Sequence, residues 1–319
     1  MTKLERILLN LPPVKFLTEK SKHIILPGFD KVPLYDVILF FLSQVKKVGL
    51  TERAAAVAYN FIMAIPPTCL FIFTLIPQLP FIPKETIELQ LHHLINDIIP
   101  AKEYNQGIID FVDGFLNQPR VGLISFGFFL LIFFASNGMM GLMRSFNKNY
   151  IGFEKRSDLE SRWMAIKLTF IILGLLVACL ILLAMQGVVL RWLGVGAKWA
   201  AILSLFRWVL IVGLVFYAIA FIYKYAPAMQ KRWKLLSPGS ILATFLSLLA
   251  TLGFSFFVSN FGKYNALYGS IGTIIVAMTL IYINALVLLI GYELNVSIHS
   301  LKALADERAR HETSGVTVP

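Results

Sequence analysis

The sequence predicts an all-α protein that crosses a membrane six times, and three observations support this fold class. Of its 319 residues, 57% are hydrophobic and only 15% are charged, whereas soluble domains carry about 25% charged residues. Apolar runs of roughly 20 residues, long enough to cross a bilayer as a helix, recur along the chain. Polar loops with alternating numbers of basic residues separate these runs. We also expect an N-terminal helix in the membrane interface and a pair of short helices outside the membrane.

The N-terminal part of the chain is expected to stay on the cytoplasmic side. Residues 1–33 are polar, contain Pro12-Pro13 and lack the early apolar core of a secretory signal, so they predict an irregular cytoplasmic segment. Residues 34–49 place most of their polar side chains within one half of a helical wheel and their apolar side chains mostly on the other. At about 15 residues this stretch is too short to span a bilayer, and it therefore predicts an amphipathic helix in the interface.

The transmembrane domain is predicted to cover residues 50–297, and its first span is expected at about 54–76. Thr51 is a plausible N-cap, and the small residues that follow permit close approach of another helix. Pro66-Pro67 lies in the middle of the span, where two missing backbone donors should kink or break the helix. The break either serves helix packing or opens a cavity, because broken helices at membrane depth need protein or water beside them.

Residues 80–119 form the one long polar excursion between predicted spans. Apolar residues recur at helical spacing on both sides of Pro100, which predicts two short amphipathic helices. The region holds six acidic residues and two basic ones, and a third basic residue, Arg120, follows it directly. We expect this pair of helices to cover the extracytoplasmic end of the bundle.

The remaining spans follow in order, at about 121–143, 164–187, 200–223, 239–259 and 270–296. On the second of them, Asn137, Gly141, Arg144 and Lys148 are spaced to line one face. A tyrosine-rich polar turn at 261–269 is predicted to lead into the last span. The remaining residues, 298–319, are expected to form a polar cytoplasmic tail, partly disordered at its end.

The distribution of basic residues predicts the orientation. From the N-terminal segment to the tail, the seven non-spanning segments hold 9, 3, 5, 2, 4, 1 and 3 Lys and Arg residues. Cytoplasmic loops carry the excess of Lys and Arg, so the alternation places both termini in the cytoplasm. The formal net charge of +11 is explained in the same way, and we expect no nucleic-acid partner.

Metal and cofactor sites are not expected. Cys69 and Cys179 both lie in apolar runs, without the spacing of a metal or redox motif. The five histidines include no HExxH pattern, and the neighbours His92 and His93 would not share a helix face. No nucleotide-binding motif is present either, so any transport would draw on a gradient or on a partner.

Five stretches, in this order and spacing, resemble the YihY/BrkB family of bacterial inner-membrane proteins, also called UPF0761 and once labelled ribonuclease BN. They are AAAVAYNFIMAIP at 54–66, SNGMMGLMRSFNKNY at 136–150, YAPAMQKRWKLLSPGS at 225–240, KYNALYGSIG at 263–272 and GYELN at 291–295. The resemblance implies six transmembrane helices, cytoplasmic termini and no established catalytic site. It also links some members to movement of phospholipid or lipopolysaccharide precursors, alongside large periplasmic bridge proteins.

Polar groups inside the predicted spans are the candidates for function. A carboxylate close to lipid costs a few kcal/mol unless it is solvated or paired, so Glu293 should face protein or water. On the last span Asn284, Gly291 and Asn295 share one face, while Glu293 lies roughly opposite. The candidate residues for a lipid path are Tyr59, Asn60, Pro66, Asn137, Arg144, Arg207, Tyr268, Gly269, Gly272, Asn284, Glu293 and Asn295.

Two of these features have an alternative interpretation. Glu293 either works in the lipid path or forms an ion pair with an arginine near the cytoplasmic end of the span. The KYNALYGSIG stretch either anchors the chain at the interface or lets the amides beside Gly269 and Gly272 face a phosphate group.

The leading functional hypothesis is lipid transport or envelope homeostasis, with membrane lipids as ligands. A transporter of ions or small molecules is an alternative, although no convincing inverted repeat is present. A structural scaffold is another. An enzyme, including a ribonuclease, is not expected, since the cytoplasmic acids show no metal-ligand pattern.

Overall fold

A computed structural model describes residues 19–30, 32–47, 49–68, 71, 92, 109–110, 113, 121–147, 156–184, 197–229, 232–260 and 263–314. Within these residues the chain forms seven helices of 13 or more residues. They are α1 (Leu34–Lys47), α2 (Leu50–Ile62), α3 (Val121–Phe146), α4 (Asp158–Ala184), α5 (Ala197–Tyr225), α6 (Pro238–Asn260) and α7 (Lys263–Ser314).

The predicted class, an all-α protein with several membrane-spanning helices, is confirmed. Among the described residues, five helices contain a stretch long and apolar enough to cross a bilayer. These stretches overlap the last five predicted spans, and they are Ser125–Phe146, Asp158–Ala178, Trp208–Tyr225, Pro238–Phe257 and Ile275–Glu307. Beyond Thr68, most of the predicted first span lies outside the described residues. The count of six spans therefore stays a prediction.

The proline pair interrupts the helix where the first span was expected. Helix α2 ends at Ile62, and helical backbone resumes at Ile65. Pro66 and Pro67 lack the amides that would bond to the carbonyls of Ile62 and Met63 in a continuous helix. The break just before the prolines is therefore the expected consequence of their chemistry.

Helix α7 differs from the prediction at both ends. It begins at Lys263 and ends at Ser314, so it includes the predicted turn at 261–269 from its third residue onward and most of the predicted tail. Tyr, Asn and Gly residues each weaken a helix by only about 1 kcal/mol or less, so their turn preference is a weak prior that the surrounding structure overrides. The tail is rich in Ala, Leu, Glu and Arg, which are strong helix formers.

Buried side chains collect in one half of the helix bundle, which we call the packed half. It comprises α2, the C-terminal part of α3, the first turns of α4 and α6, and residues 285–298 of α7. Residues 219–229, at the end of α5 and directly after it, also belong to it. Its fully buried side chains include Val57, Phe146, Leu168 and Leu289.

The opposite half of the bundle is covered much less, and we call it the open half. Among the side chains that the structure describes, α4 has no buried residue after Thr169 and α6 has none after Thr244. On α5 and α7, which run antiparallel to α4 and α6, no described side chain is buried before Ile219 or before Ala285, respectively. On these four helices, the side chains of residues 179–184, 197–207 and 258–274 lie outside the described set.

Helix α1 forms at the predicted place and packs on α7. Its Val37 is fully buried in a small cluster with Phe29, Val32 and Ile298. Its location in the membrane interface stays a prediction.

The predicted helical pair at 80–119 lies largely outside the described residues. The four residues described there are helical, and Nε2 of His92 lies 2.7 Å from Oδ1 of Asp113. This contact joins a residue from each of the two predicted short helices.

Candidate functional site

The GYELN motif, Gly291 to Asn295, passes the level at which the other helices of the packed half begin or end. Each of its residues contacts a different part of the bundle. Because these contacts involve backbone groups at helix ends, the motif joins α7 to the rest of the fold.

Gly291 permits the close approach of α6 and α5 to α7. A Cβ atom at this position would lie 2.6 Å from the Ala243 Cβ, from the Gly239 carbonyl oxygen and from the Tyr223 hydroxyl. Gly239 is equally restricted, because its own Cβ would meet the Gly291 carbonyl and lie 2.6 Å from the Asn295 side chain. Small residues at such a crossing bring helix backbones together in membranes.

Tyr292 closes the C-terminal end of α3. Its hydroxyl donates a 2.8 Å hydrogen bond to the carbonyl of Phe146, the last residue of that helix. Its ring stacks on the Phe146 ring, with centroids 3.9 Å apart. The last carbonyls of a helix have no partner inside the helix, so Tyr292 satisfies one of them within the core.

Glu293 forms a buried ion pair with Arg53 in the first turn of α2. Oε1 of Glu293 lies 2.7 Å from Nη1 of Arg53. The Glu293 side chain is completely buried and the Arg53 side chain is 10% exposed. Nη2 of Arg53 donates to the carbonyl of Ser145, and Nε is buried without a partner among the described residues. One arginine therefore links α2, α3 and α7.

Asn295 completes the N-terminal end of α6. Its Oδ1 accepts a 2.8 Å hydrogen bond from the Gly239 amide, and its Nδ2 donates a 2.9 Å bond to Oγ of Ser237. Ser237 is itself the N-cap, since its Oγ accepts from the amide of Ser240 at 3.2 Å. Between Glu293 and Asn295, Leu294 packs against the cluster beneath α1.

Another arginine closes the end of α5. The guanidinium of Arg156 donates to the carbonyls of Tyr225, Ala226 and Pro227 at 3.1–3.3 Å. A positive charge at a helix C-terminus is favourable because of the aligned peptide dipoles.

The other polar residues predicted within the spans also bond inside the protein. Asn137 Oδ1 accepts from Arg162, Asn284 accepts from the Ser247 hydroxyl, and Asn60 Nδ2 donates to the Ala56 carbonyl at 2.7 Å. These amides therefore connect neighbouring helices or successive turns of one helix.

The remaining predicted site residues are not brought to this motif. Tyr59, Pro66 and Arg144 are exposed. Arg207, Tyr268, Gly269 and Gly272 lie within α5 and α7, where side chains are outside the described set. Because α7 begins at Lys263, the two glycines lie inside the helix, which contradicts the interpretation that their amides face a phosphate at a helix start.

Sequence reasoning selected Glu293 and Asn295 but missed Arg53, Tyr292 and Arg156. Arg53 appeared only as one of nine basic residues in the N-terminal segment. Its signal was its place directly before the small apolar run Ala54–Ala58, which favours close helix packing around it. Among the described residues, no group of three or more His, Cys, Asp or Glu could hold a metal ion.

Comparison with known proteins identifies relatives over most of the chain. The family model described as virulence factor BrkB matches residues 41–315. YfkH of Bacillus subtilis, named as ribonuclease-like, is 32% identical over 82% of this chain and 94% of its own. A UPF0761 membrane protein of Haemophilus influenzae is 25% identical over 80% of this chain and 92% of its own. Another, from Tolumonas auensis, is 26% identical over 81% and 84%. No solved structure matches this chain.

Proposed function

Since the chain belongs to the BrkB family of membrane proteins, we propose that it binds membrane lipids as a step in phospholipid or lipopolysaccharide-precursor transport or in envelope homeostasis. In this proposal it resides in the bacterial inner membrane with both termini in the cytoplasm. Periplasmic lipid-bridge proteins are its proposed partners. The acyl chains of the lipid occupy the open half of the bundle.

One observation carries the proposal, and it concerns a single face of α6. Ala243, Ser247, Ala250, Phe254 and Phe257 follow each other at helical spacing. The first part of this face packs in or against the core at Ala243 and Ala250. Ala243 at the start of this face is completely buried, whereas Phe257 at its far end is 50% exposed. The same face thus becomes more exposed as it enters the open half.

Helix α7 shows the same change. Leu289 is fully buried, whereas Ile275, two heptads earlier on about the same face, is 42% exposed. Apolar surface left in water costs about 25 cal/mol per Å², so these faces require an apolar cover within the membrane. Acyl chains are the apolar material that a bilayer supplies.

The polar groups of the spans favour a lipid over an ion as the ligand. A pathway for ions needs polar groups directed at a wet cavity. The described candidates instead bond to protein, as Glu293 does to Arg53 and Asn137 to Arg162.

Photo-crosslinking at two adjacent positions of α6 tests the proposal. A photoreactive amino acid replaces Phe257, on the inner face, or Phe256, which is 72% exposed on another side of the helix. The protein is purified in detergent, which removes loosely associated lipid, and then irradiated. We expect a covalent lipid adduct at position 257 and detergent adducts at position 256, and the adduct mass would identify the lipid class. Equal lipid labelling at both positions, or none at either, would overturn the proposal.

A further inference from the structure

A pocket of about 470 Å³ lies at the end of the packed half. Its walls are the turn at residues 28–30, the segment 232–238 between α5 and α6, and residues 299–306 of α7. This volume falls in the range of small-ligand sites, about 300–1,000 Å³. The pocket is at the opposite end of the bundle from the proposed acyl-chain space, and its function does not depend on that space.

Positive charge predominates around the pocket. Arg232, Lys234 and Lys302 line it, together with His299, against the two carboxylates of Asp30 and Asp306. Nζ of Lys302 lies 3.1 Å from Oδ2 of Asp30, and both side chains remain substantially exposed. The arginine guanidinium and the two lysine ammonium groups thus line a solvent-accessible cavity with a surplus of one positive charge before His299 is counted.

Aromatic contacts fix part of this charge in place. The guanidinium of Arg232 lies over the ring of Tyr225, 5.2 Å from its centroid. Next to it, Trp233 packs against Tyr292, with ring centroids 5.5 Å apart. The segment that carries the cations is therefore held on the aromatic core that the GYELN motif organises.

An exposed leucine stands beside the cations. Leu236 lines the pocket and is 72% exposed, immediately before α6 begins at Pro238. The residues at this place lie where membrane-spanning helices end, and an apolar side chain next to Lys and Arg is the pattern of a segment that meets lipid headgroups.

The amides at the start of α6 contribute little to this pocket. The Gly239 amide bonds to Asn295 and the Ser240 amide to Ser237, while Pro238 has none. An anion in the pocket would therefore be bound by side chains.

We propose that this pocket binds the phosphate group of an anionic ligand, as carried by a lipid headgroup or by a soluble phosphate monoester. The side chains that would hold it are Arg232, Lys234 and Lys302, with Leu236 against the apolar part of the ligand.

Native mass spectrometry of the purified full-length protein with added lipid tests this site. We expect phosphatidic acid to bind more tightly than phosphatidylcholine. The double variant Arg232→Gln/Lys302→Gln should weaken phosphatidic acid binding by about 25-fold, since each cation near anionic headgroups contributes about fivefold. Arg144→Gln, which removes an exposed arginine of α3 outside the pocket, is the matched control and should change binding by less than about twofold.

A gain of affinity separates the proposal from a folding defect. Asp306→Asn removes a carboxylate from the pocket wall and should tighten phosphatidic acid binding, which a misfolded protein would not do. Competition by soluble glycerol 3-phosphate would indicate a site for a free phosphate monoester, and its absence a lipid headgroup. Equal loss of binding in the double variant and in Arg144→Gln, or no change in the double variant and in Asp306→Asn, would overturn the proposal.

Discussion

Replacement of Glu293 by glutamine is expected to destabilise the protein severely. The Glu293 side chain is fully buried and its Arg53 partner is 10% exposed, so water cannot take the place of the lost carboxylate. Removing one member of a buried ion pair costs about 3–5 kcal/mol because the other charge stays buried. Glutamine keeps an oxygen that can accept from Nη1 of Arg53, and the Ser145 carbonyl still accepts from Nη2. We therefore expect a loss near the lower limit, about 3 kcal/mol, and a larger loss for Glu293→Ala.

The free energy of unfolding can be measured by titration with sodium dodecyl sulfate in mixed micelles, followed by tryptophan fluorescence. Arg144→Gln serves as the control, since Arg144 is exposed at the end of α3, and it should lie within about 0.5 kcal/mol of the wild type. The double variant Arg53→Gln/Glu293→Gln removes both charges. It should be more stable than the sum of the single changes predicts, by about 0.5–3 kcal/mol.

Two results would refute this reasoning. The first is a Glu293→Gln variant with wild-type stability. The second is a double variant whose loss equals the sum of the single losses. Wild-type stability together with loss of function would restore the hypothesis that Glu293 acts in a transport path.

Two further substitutions test the contacts of the same motif. Gly291→Ala should destabilise the protein by about 1–3 kcal/mol, because the new methyl group would overlap the Gly239 carbonyl and other atoms of the helix crossing. The control Gly253→Ala, in open space on α6, should be neutral or slightly stabilising in the same unfolding titration. Equal effects of the two substitutions would contradict the argument. Tyr292→Phe should lower the free energy of unfolding by about 1–3 kcal/mol, since it leaves the buried Phe146 carbonyl without its hydrogen bond while the ring stacking remains. Unchanged stability would show that the carbonyl finds another partner.

The parts of the fold that were predictable depend on local composition. The apolar runs, the amphipathic pattern of α1 and the missing amides of Pro66-Pro67 are all properties of a short stretch of chain. Each is decided by solvent and by backbone chemistry, so the sequence alone predicted five of the apolar spans and the break after Ile62.

The pairing of the candidate site was not predictable in the same way. The cost of a buried carboxylate showed that Glu293 needs a partner, but several arginines belong to the same end of the bundle. Arg53 is 240 residues away in the sequence, and only the packing of α2 between α3 and α7 selects it over Arg156 or Arg162.

Helix α7 shows where local preference misleads. Tyrosine, asparagine and glycine near Gly269 indicate a turn, yet the helix includes them, because each weakens a helix by only about 1 kcal/mol or less. The polarity of the tail favours a disordered segment, but its Ala, Leu, Glu and Arg residues favour a helix, and the helix forms as far as Ser314.

The length of α7 has a mechanical consequence. Its 52 residues extend about 78 Å at 1.5 Å per residue, well beyond a hydrocarbon core of about 30 Å. From the ion pair at Glu293, the helix extends about 45 Å towards Lys263 and about 32 Å towards Ser314. A tilt of about 10° about this point would move the two ends in opposite directions by about 8 Å and 6 Å. A displacement of the end near Ser314 would therefore reach Lys263 through the helix itself, without a relay of side chains.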